Sequence, residues 1–204
     1  MQTTIPTRKE AYRLLLDGLD SNPGPWGTHC LTAAHCAEKI ALACHDLDPE
    51  KAYILGLLHD IGRKFGIRHL GHVSDGFTYM TSLGYTDAAR ICLTHSFCGS
   101  TIDGYIGRID VSDDELALIK RELASAKIDE YDRLIRLCDS LAGADGVMNI
   151  EDRMNDIKSR YGSYPKEKWD YNLNLLKHFE EKAGMDIYFL CEKDSFRPKM
   201  PEII

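Results

Sequence analysis

Eight histidines and a surplus of carboxylates are the residues of this 204-residue chain best suited to metal or acid–base chemistry. The most informative pair is His59-Asp60, which closes an otherwise apolar run, GLLHDIGR (56–63). Burying an ionised aspartate there without a partner would cost on the order of several kcal/mol, so the pair calls for a cation or a hydrogen-bonding network. Neutral imidazole beside a carboxylate suits a borderline divalent metal. The plainer alternative is a helix C-terminal turn breaking into solvent. His29, His72, His95 and Asp139 bear on that choice, because each lies in a segment with apolar neighbours at helical spacing. Ala88, Ile91 and His95 share one helix face, as do Ile135 and Asp139. Four histidines and two aspartates at the ends or inner faces of five helices can converge on one buried polar centre, the way helical bundles build carboxylate–histidine dimetal sites.

The elements that must position these residues read as helices. Thr7 with Glu10 forms a capping box, and the helix it opens is expected to end near Gly18, before a turn at SNPGPWG (21–27). A second helix is expected over about 28–45. Asp48-Pro49 opens a third, KAYILGLLHDIG, closed near Gly62. HVSDGFTYMTSLG is a fourth, stopped by Gly84, and Thr86 caps a fifth, DAARICLTHSF. A loop rich in Gly, Ser and Asp spans roughly 98–111. Ser112 with Glu115, then Asp129, open the sixth and seventh helices. NIEDRMNDIKSRYG ends at Gly162, and Pro165 precedes a ninth helix, KEKWDYNLNLLKHFEEKAG. Strand alternation, internal repeats and linkers are lacking. The expectation is an all-α fold: one domain over 1–204, a helical bundle of about eight or nine helices.

Composition narrows the function classes. With 44% hydrophobic and 28% charged residues the chain is neither disordered nor collagen-like. No apolar run approaches the roughly 18–20 residues of a membrane span, and the N-terminal stretch lacks a signal-peptide layout. A net charge of -7 and the lack of a basic stripe with interleaved aromatics argue against nucleic acid as partner. The seven cysteines contain no CxxC pair and mostly lie in apolar-periodic segments, which fits free thiols in a reducing cytoplasm rather than a structural zinc site. Tyr161, Tyr164, Trp169 and Tyr171 are expected to pack the C-terminal helix onto the bundle. A homodimer contact would also fall on that helix.

The ordered set His29, His59-Asp60 and Asp139 resembles the signature of the HD superfamily of metal-dependent phosphohydrolases. The added His72 and His95 resemble the subset of that superfamily with a two-metal centre. The surrounding stretches are similar too: PWGTH (25–29), HVSDGF (72–77), ARICLTHSF (89–97) and RLCDSLAG (136–143). The resemblance covers about 25–162, leaving a C-terminal helical extension of about 163–204 outside it.

The resemblance implies that His29, His59, Asp60 and Asp139 hold one divalent ion and that Asp60 bridges to a second, held by His72 and His95. It implies iron or manganese, with magnesium, zinc, nickel or cobalt as alternatives, and open positions for water and substrate oxygens. His35 competes with His29 as the first ligand. Six residues of helix set the two about 120° apart, so only one can face the site; His29 has the family-like context. His69 competes with His72 and lacks the Asp-Gly that follows it. His45 and His178 read as surface residues.

The expected chemistry is hydrolysis of a phosphate ester, in a nucleotide or small phosphorylated metabolite, by metal-activated hydroxide. Asp60 and Arg63 are the expected catalytic residues, with Arg63 and Lys64 as substrate contacts. A cationic helix end is the plainer reading of both basic residues. Asp75 is expected either to orient His72 or to face solvent. Tyr105 and Arg108 of the Gly-rich loop are candidates for a pocket wall, and Glu151 and Arg153 are candidates for the pocket or for a surface pair. Two alternatives stay open: a di-iron oxygenase on the same scaffold, and a non-catalytic nucleotide-sensing domain.

Overall fold

Capping chemistry sets most helix boundaries in the computed structural model, which describes residues 4–200. The helices are α1 (Arg8–Ser21), α2 (Trp26–Cys44), α3 (Pro49–Leu58), α4 (Gly71–Ser82), α5 (Thr86–Thr94), α6 (Asp113–Ser125), α7 (Glu130–Leu141), α8 (Ile150–Tyr161), α9 (Lys166–Ala183) and the short α10 (Ile187–Leu190), with a 3-10 turn at Ile61–Phe65. The fold is all-α. Among the described residues no strand forms, and one isolated bridge joins Ala142 to Val147. Thr7, Asp48, Ser112, Asp129 and Asn149 each accept hydrogen bonds from backbone N–H groups of the turn that follows. Such caps contribute about 1 kcal/mol each. The reciprocal boxes are at Ser112/Glu115 and Asp129/Asp132.

Four boundaries differ from expectation. α1 continues past Gly18, because that glycine serves close approach: a Cβ there would lie 2.9 Å from the Trp26 ring. Trp26 belongs to α2 rather than to the preceding turn, with its Nε1 donating to the Asn22 carbonyl at 2.8 Å. Thr86 is the first residue of α5 and caps nothing, since the cap position is Tyr85 and no side chain bonds there. α3 stops at Leu58, and the chain tightens into the 3-10 turn, so His59 and Asp60 sit at a break between two helical axes. Gly62 lets that turn press on α4, for a Cβ there would fall 1.9 Å from the His72 carbonyl oxygen and 2.6 Å from the Gly76 nitrogen.

The centre of the bundle is α2 against α3. Ala33, Ala37, Ile40 and Ala41 of α2 are wholly buried, as are Leu55 and Leu57 of α3. Small side chains on α2 let the two axes approach closely. α7 packs on α2 and α3 through Leu134, Leu137 and Cys138, and α9 covers it with Leu175 and Phe179. A second cluster, Leu70, Val73, Leu93, Phe97, Ile119 and Leu123, seats α6 over α4 and α5. Six cysteines are buried, Cys98 is half-buried, and all seven are free thiols. Trp169 and Tyr171 do pack the C-terminal helix: Trp169 stands edge-on to Tyr164, and the Tyr171 hydroxyl accepts from Arg136 Nη1 at 2.9 Å.

Glu130 fastens α9 to the start of α7. It accepts from His178 Nε2 at 2.5 Å, Lys182 Nζ at 2.9 Å and Arg133 Nη1 at 3.0 Å. Burial alone would raise its pKa, but these donors outweigh it and hold the carboxyl at about 2.

Gly62→Ala is expected to cost about 2–3 kcal/mol, because the clash is with backbone that cannot rotate away; an unchanged urea midpoint would refute the close approach. Glu130 is ionised in the folded state to a lower pH than in the unfolded chain, where its pKa is about 4.3. Its stabilisation is therefore present above that value and lost as pH falls toward 2. After discounting for solvent screening, Glu130→Gln should cost about 1–2 kcal/mol at pH 7. The urea midpoints of wild type and variant should converge as the pH is lowered from about 5 to 3.

Candidate metal centre

Six side chains meet where five helices end. His29 lies in the first turn of α2 and His72 in the first turn of α4; His59 and His95 are the C-caps of α3 and α5; Asp60 follows His59, and Asp139 sits in the last turn of α7. The structure brings together all six residues expected to act as ligands, in two adjoining triads: His29, His59 and Asp139, then Asp60, His72 and His95. Their continuity comes from the His59-Asp60 peptide and from the His59 and His95 rings, which stand nearly perpendicular with centroids 5.1 Å apart.

Backbone carbonyls orient every ring. Nδ1–H of His29 donates to Ala142 O at 3.0 Å, that of His59 to Gly56 O at 2.7 Å, that of His72 to His69 O, and that of His95 to Cys92 O at 2.9 Å. With Nδ1 protonated, the neutral rings carry their lone pairs on Nε2. Those Nε2 atoms face one another, 3.2 Å apart in the His29–His59 pair and 3.2 Å in the His72–His95 pair. Asp60 Oδ1 lies 3.2 Å from His72 Nε2 and 3.4 Å from His95 Nε2, and it is buried without a hydrogen-bond donor. Asp139 Oδ1 is 3.1 Å from His29 Nε2 and 3.7 Å from His59 Nε2. Lone pair against lone pair is repulsive unless something positive lies between them. Bonds of about 2.1 Å from one cation, opening roughly 90–110°, set two donors about 3.0–3.4 Å apart. The donor set therefore fits divalent cations, and backbone carbonyls supply the outer support such ligands need.

Charge settles in the same sense. Burial would raise the pKa of Asp60, yet the Arg63 guanidinium and the His72 ring hold it well below the usual carboxylate range. Asp139, likewise pushed up by burial, is pulled well below that range by His29 and His59. Burial and Arg63 together lower His72, favouring the neutral ring. Burial disfavours a proton on His59, but Asp139 and Asp60 outweigh it and raise its pKa. A divalent ion bound to these donors would take the place of that proton.

The family model described as HD domain matches residues 26–144, more than half of the chain. The chain belongs to the HD domain family. HD domains are generally metal-dependent hydrolases. No curated protein and no solved structure matches the chain.

Around the centre of this HD domain the lining differs in part from expectation. Arg63 borders the cavity, its Nε donating to Asp60 Oδ2 at 2.5 Å. Lys64 does not reach the cavity, because its ammonium pairs with Asp17 and lies 5.0 Å over the Tyr79 ring on the far side of the 3-10 turn. Asp75 pairs with Arg68 Nη1 at 2.8 Å and leaves His72 to the His69 carbonyl. Tyr105 of the Gly-rich loop lines the cavity, whereas Arg108 contributes its carbonyl to Leu70 N at 3.2 Å. Glu151 is exposed and Arg153 lines the cavity, so the two form no surface pair. His35 faces away, with Nε2 3.1 Å from Cys191 O and its ring stacked on Phe196. His45 and His178 are exposed.

Sequence reasoning missed the C-terminal share of the lining. Tyr161 and Tyr164, expected only as packing residues, border the cavity, as do Arg160 and Lys168. The available signal was spacing: 153, 157, 160 and 161 fall on one stripe of a helix. A buried network also went unseen. Asp132 accepts from Thr94 Oγ1 at 2.6 Å and pairs with Arg90, while Arg136 Nε donates to Thr94 O at 3.1 Å. It ties the end of α5, and with it His95, to the α7 face that presents Asp139.

Adding manganese or ferrous ion to chelator-stripped protein should raise the thermal midpoint. Saturation at about 100 times Kd contributes about 2.7 kcal/mol. Asp60→Asn should largely lose that response, and an unresponsive wild-type protein would show that the donor set holds no such ion.

Proposed function

We propose that the chain is a metal-dependent phosphohydrolase acting on a phosphate ester of a small metabolite or nucleotide. One observation carries the reading: two contiguous His/Asp triads open onto a cavity whose remaining charged walls are cationic. Nitrogen and oxygen donors, without a thiolate in either triad, favour iron or manganese over softer-ligand metals. Two ions, one in each triad, is the stoichiometry we assign.

When bound, divalent ions lower the pKa of water and take up charge on phosphoryl oxygens. The chain supplies position. His29, His59, His72 and His95 keep Nε2 aimed inward because each Nδ1–H is committed to a carbonyl. Asp60 is held by Arg63 from outside, which leaves Oδ1 facing the triad. The guanidinium nitrogens of Arg63 not used by Asp60 are the donors for a phosphoryl oxygen entering beside His72, where Arg63 and His72 border the same cavity. Ser96 Oγ, 3.0 Å from His95 Nε2, adds a hydroxyl at that edge.

The test is release of inorganic phosphate from a panel of phosphomonoesters and nucleotides with manganese or ferrous ion. Asp60→Asn should lower kcat/KM by at least about 100-fold. Elemental analysis of protein purified without added metal should give about two equivalents per chain. No release from any substrate with any divalent ion would overturn the proposal.

A further inference from the structure

The wall opposite the triads is built from residues that neither metal binding nor attack on phosphorus requires. α8 presents Arg153, Ile157, Arg160 and Tyr161 along one stripe, and Lys168 follows in the first turn of α9. An ordinary bundle helix turns apolar residues inward. Ile150 and Met154 turn inward here, and the stripe beside them, bordering the cavity, carries two guanidiniums and meets an ammonium.

These cations are under-partnered. Arg153 Nη1 reaches only Asp156, at 3.4 Å, and its Nε is buried with no acceptor. Arg160 Nη2 uses the same Asp156 oxygen at 2.8 Å. Lys168 Nζ donates to the Ser96 carbonyl at 2.8 Å, and among the described residues no carboxylate pairs with it. One carboxylate thus serves two guanidiniums, and the ammonium beside them has none. Arg68, which borders the same cavity, is by contrast satisfied by Asp75 and Glu115. Leaving cations so exposed to one another over a cavity costs free energy unless an anion joins them.

A lone phosphate does not need them. Its charge would be met by divalent ions held in the triads and by Arg63. Ser96 measures the offset: its Oγ is 3.0 Å from His95 Nε2 and its carbonyl receives Lys168. The cationic wall therefore stands one residue beyond the ligands, within reach of the far end of a short substrate. The cavity between them, about 300 Å³, has the size of a small metabolite.

We propose that Arg153, Arg160 and Lys168 form a second anion subsite, and that the substrate is a small phosphate ester bearing another phosphate or a carboxylate a few bonds away. This specificity rests on the phosphohydrolase reading for the group that is cleaved; binding at the subsite does not.

Calorimetric titration of manganese-loaded protein with propyl phosphate, 3-carboxypropyl phosphate and propane-1,3-diyl bisphosphate tests it. At least one doubly charged compound should bind about tenfold or more tightly than propyl phosphate, and whichever does identifies the second group. In Lys168→Met and in Arg153→Gln that ratio should fall to about threefold or less, and Lys168→Arg should restore it. Equal affinities in the wild type, or a ratio that survives both variants, would overturn the subsite. Thermal melting of each variant reports whether it is folded. Phosphate release measured on the same three compounds separates the two proposals: a persistent affinity ratio without hydrolysis upholds the subsite and sinks the phosphohydrolase reading.

Discussion

Four imidazoles aimed at one another with unshared electron pairs are the constraint around which this fold is arranged. Each ring would relieve the repulsion by rotating, and each is prevented by a hydrogen bond from Nδ1 to a main-chain carbonyl. Main-chain carbonyls are free to accept in this way at helix ends, where the intrahelical ladder stops. That is why the ligands sit at termini and why five helices must finish at one place. The same logic explains the break between α3 and the 3-10 turn. A continuous helix would send His59 and Asp60 to faces about 100° apart, whereas the break lets the two residues serve adjacent triads.

Much of this was legible in the sequence because the signals are local. Asp48-Pro49, Ser112/Glu115 and Asp129 mark helix starts by side-chain chemistry that acts over three residues, and the structure obeys them. The six ligand candidates could be picked out because polar residues in apolar-periodic segments need an explanation. What failed depended on direction rather than position. Lys64 is adjacent to Arg63 in sequence, but neighbouring residues of a tight turn leave it on different sides. Asp75 lies one turn from His72, yet Arg68 competes for it. Gly18 carries a stop signal in isolation and a packing role in context, since only tertiary structure brings Trp26 to it.

The α8 face was illegible for a different reason. Arg153 could be read as a pocket residue or half of a surface pair, but Arg160 and Lys168 look like solvated charges because a polar stripe is the outward face of most surface helices. Here it borders a cavity rather than open solvent alone. Residues Met154 and Ile150 supply the apolar anchor on another side of the same helix. The family match ends at residue 144, before this helix begins, so the metal centre and the opposing wall come from different parts of the chain.

The bond from His29 to the Ala142 carbonyl joins residues 113 positions apart. Closing so long a loop is entropically costly and comes late when a chain organises itself. The first triad, which needs both α2 and the end of α7, therefore cannot exist on a nascent or half-folded chain. An ion held in that triad would thus bind only chains in which α2 and the end of α7 have already docked.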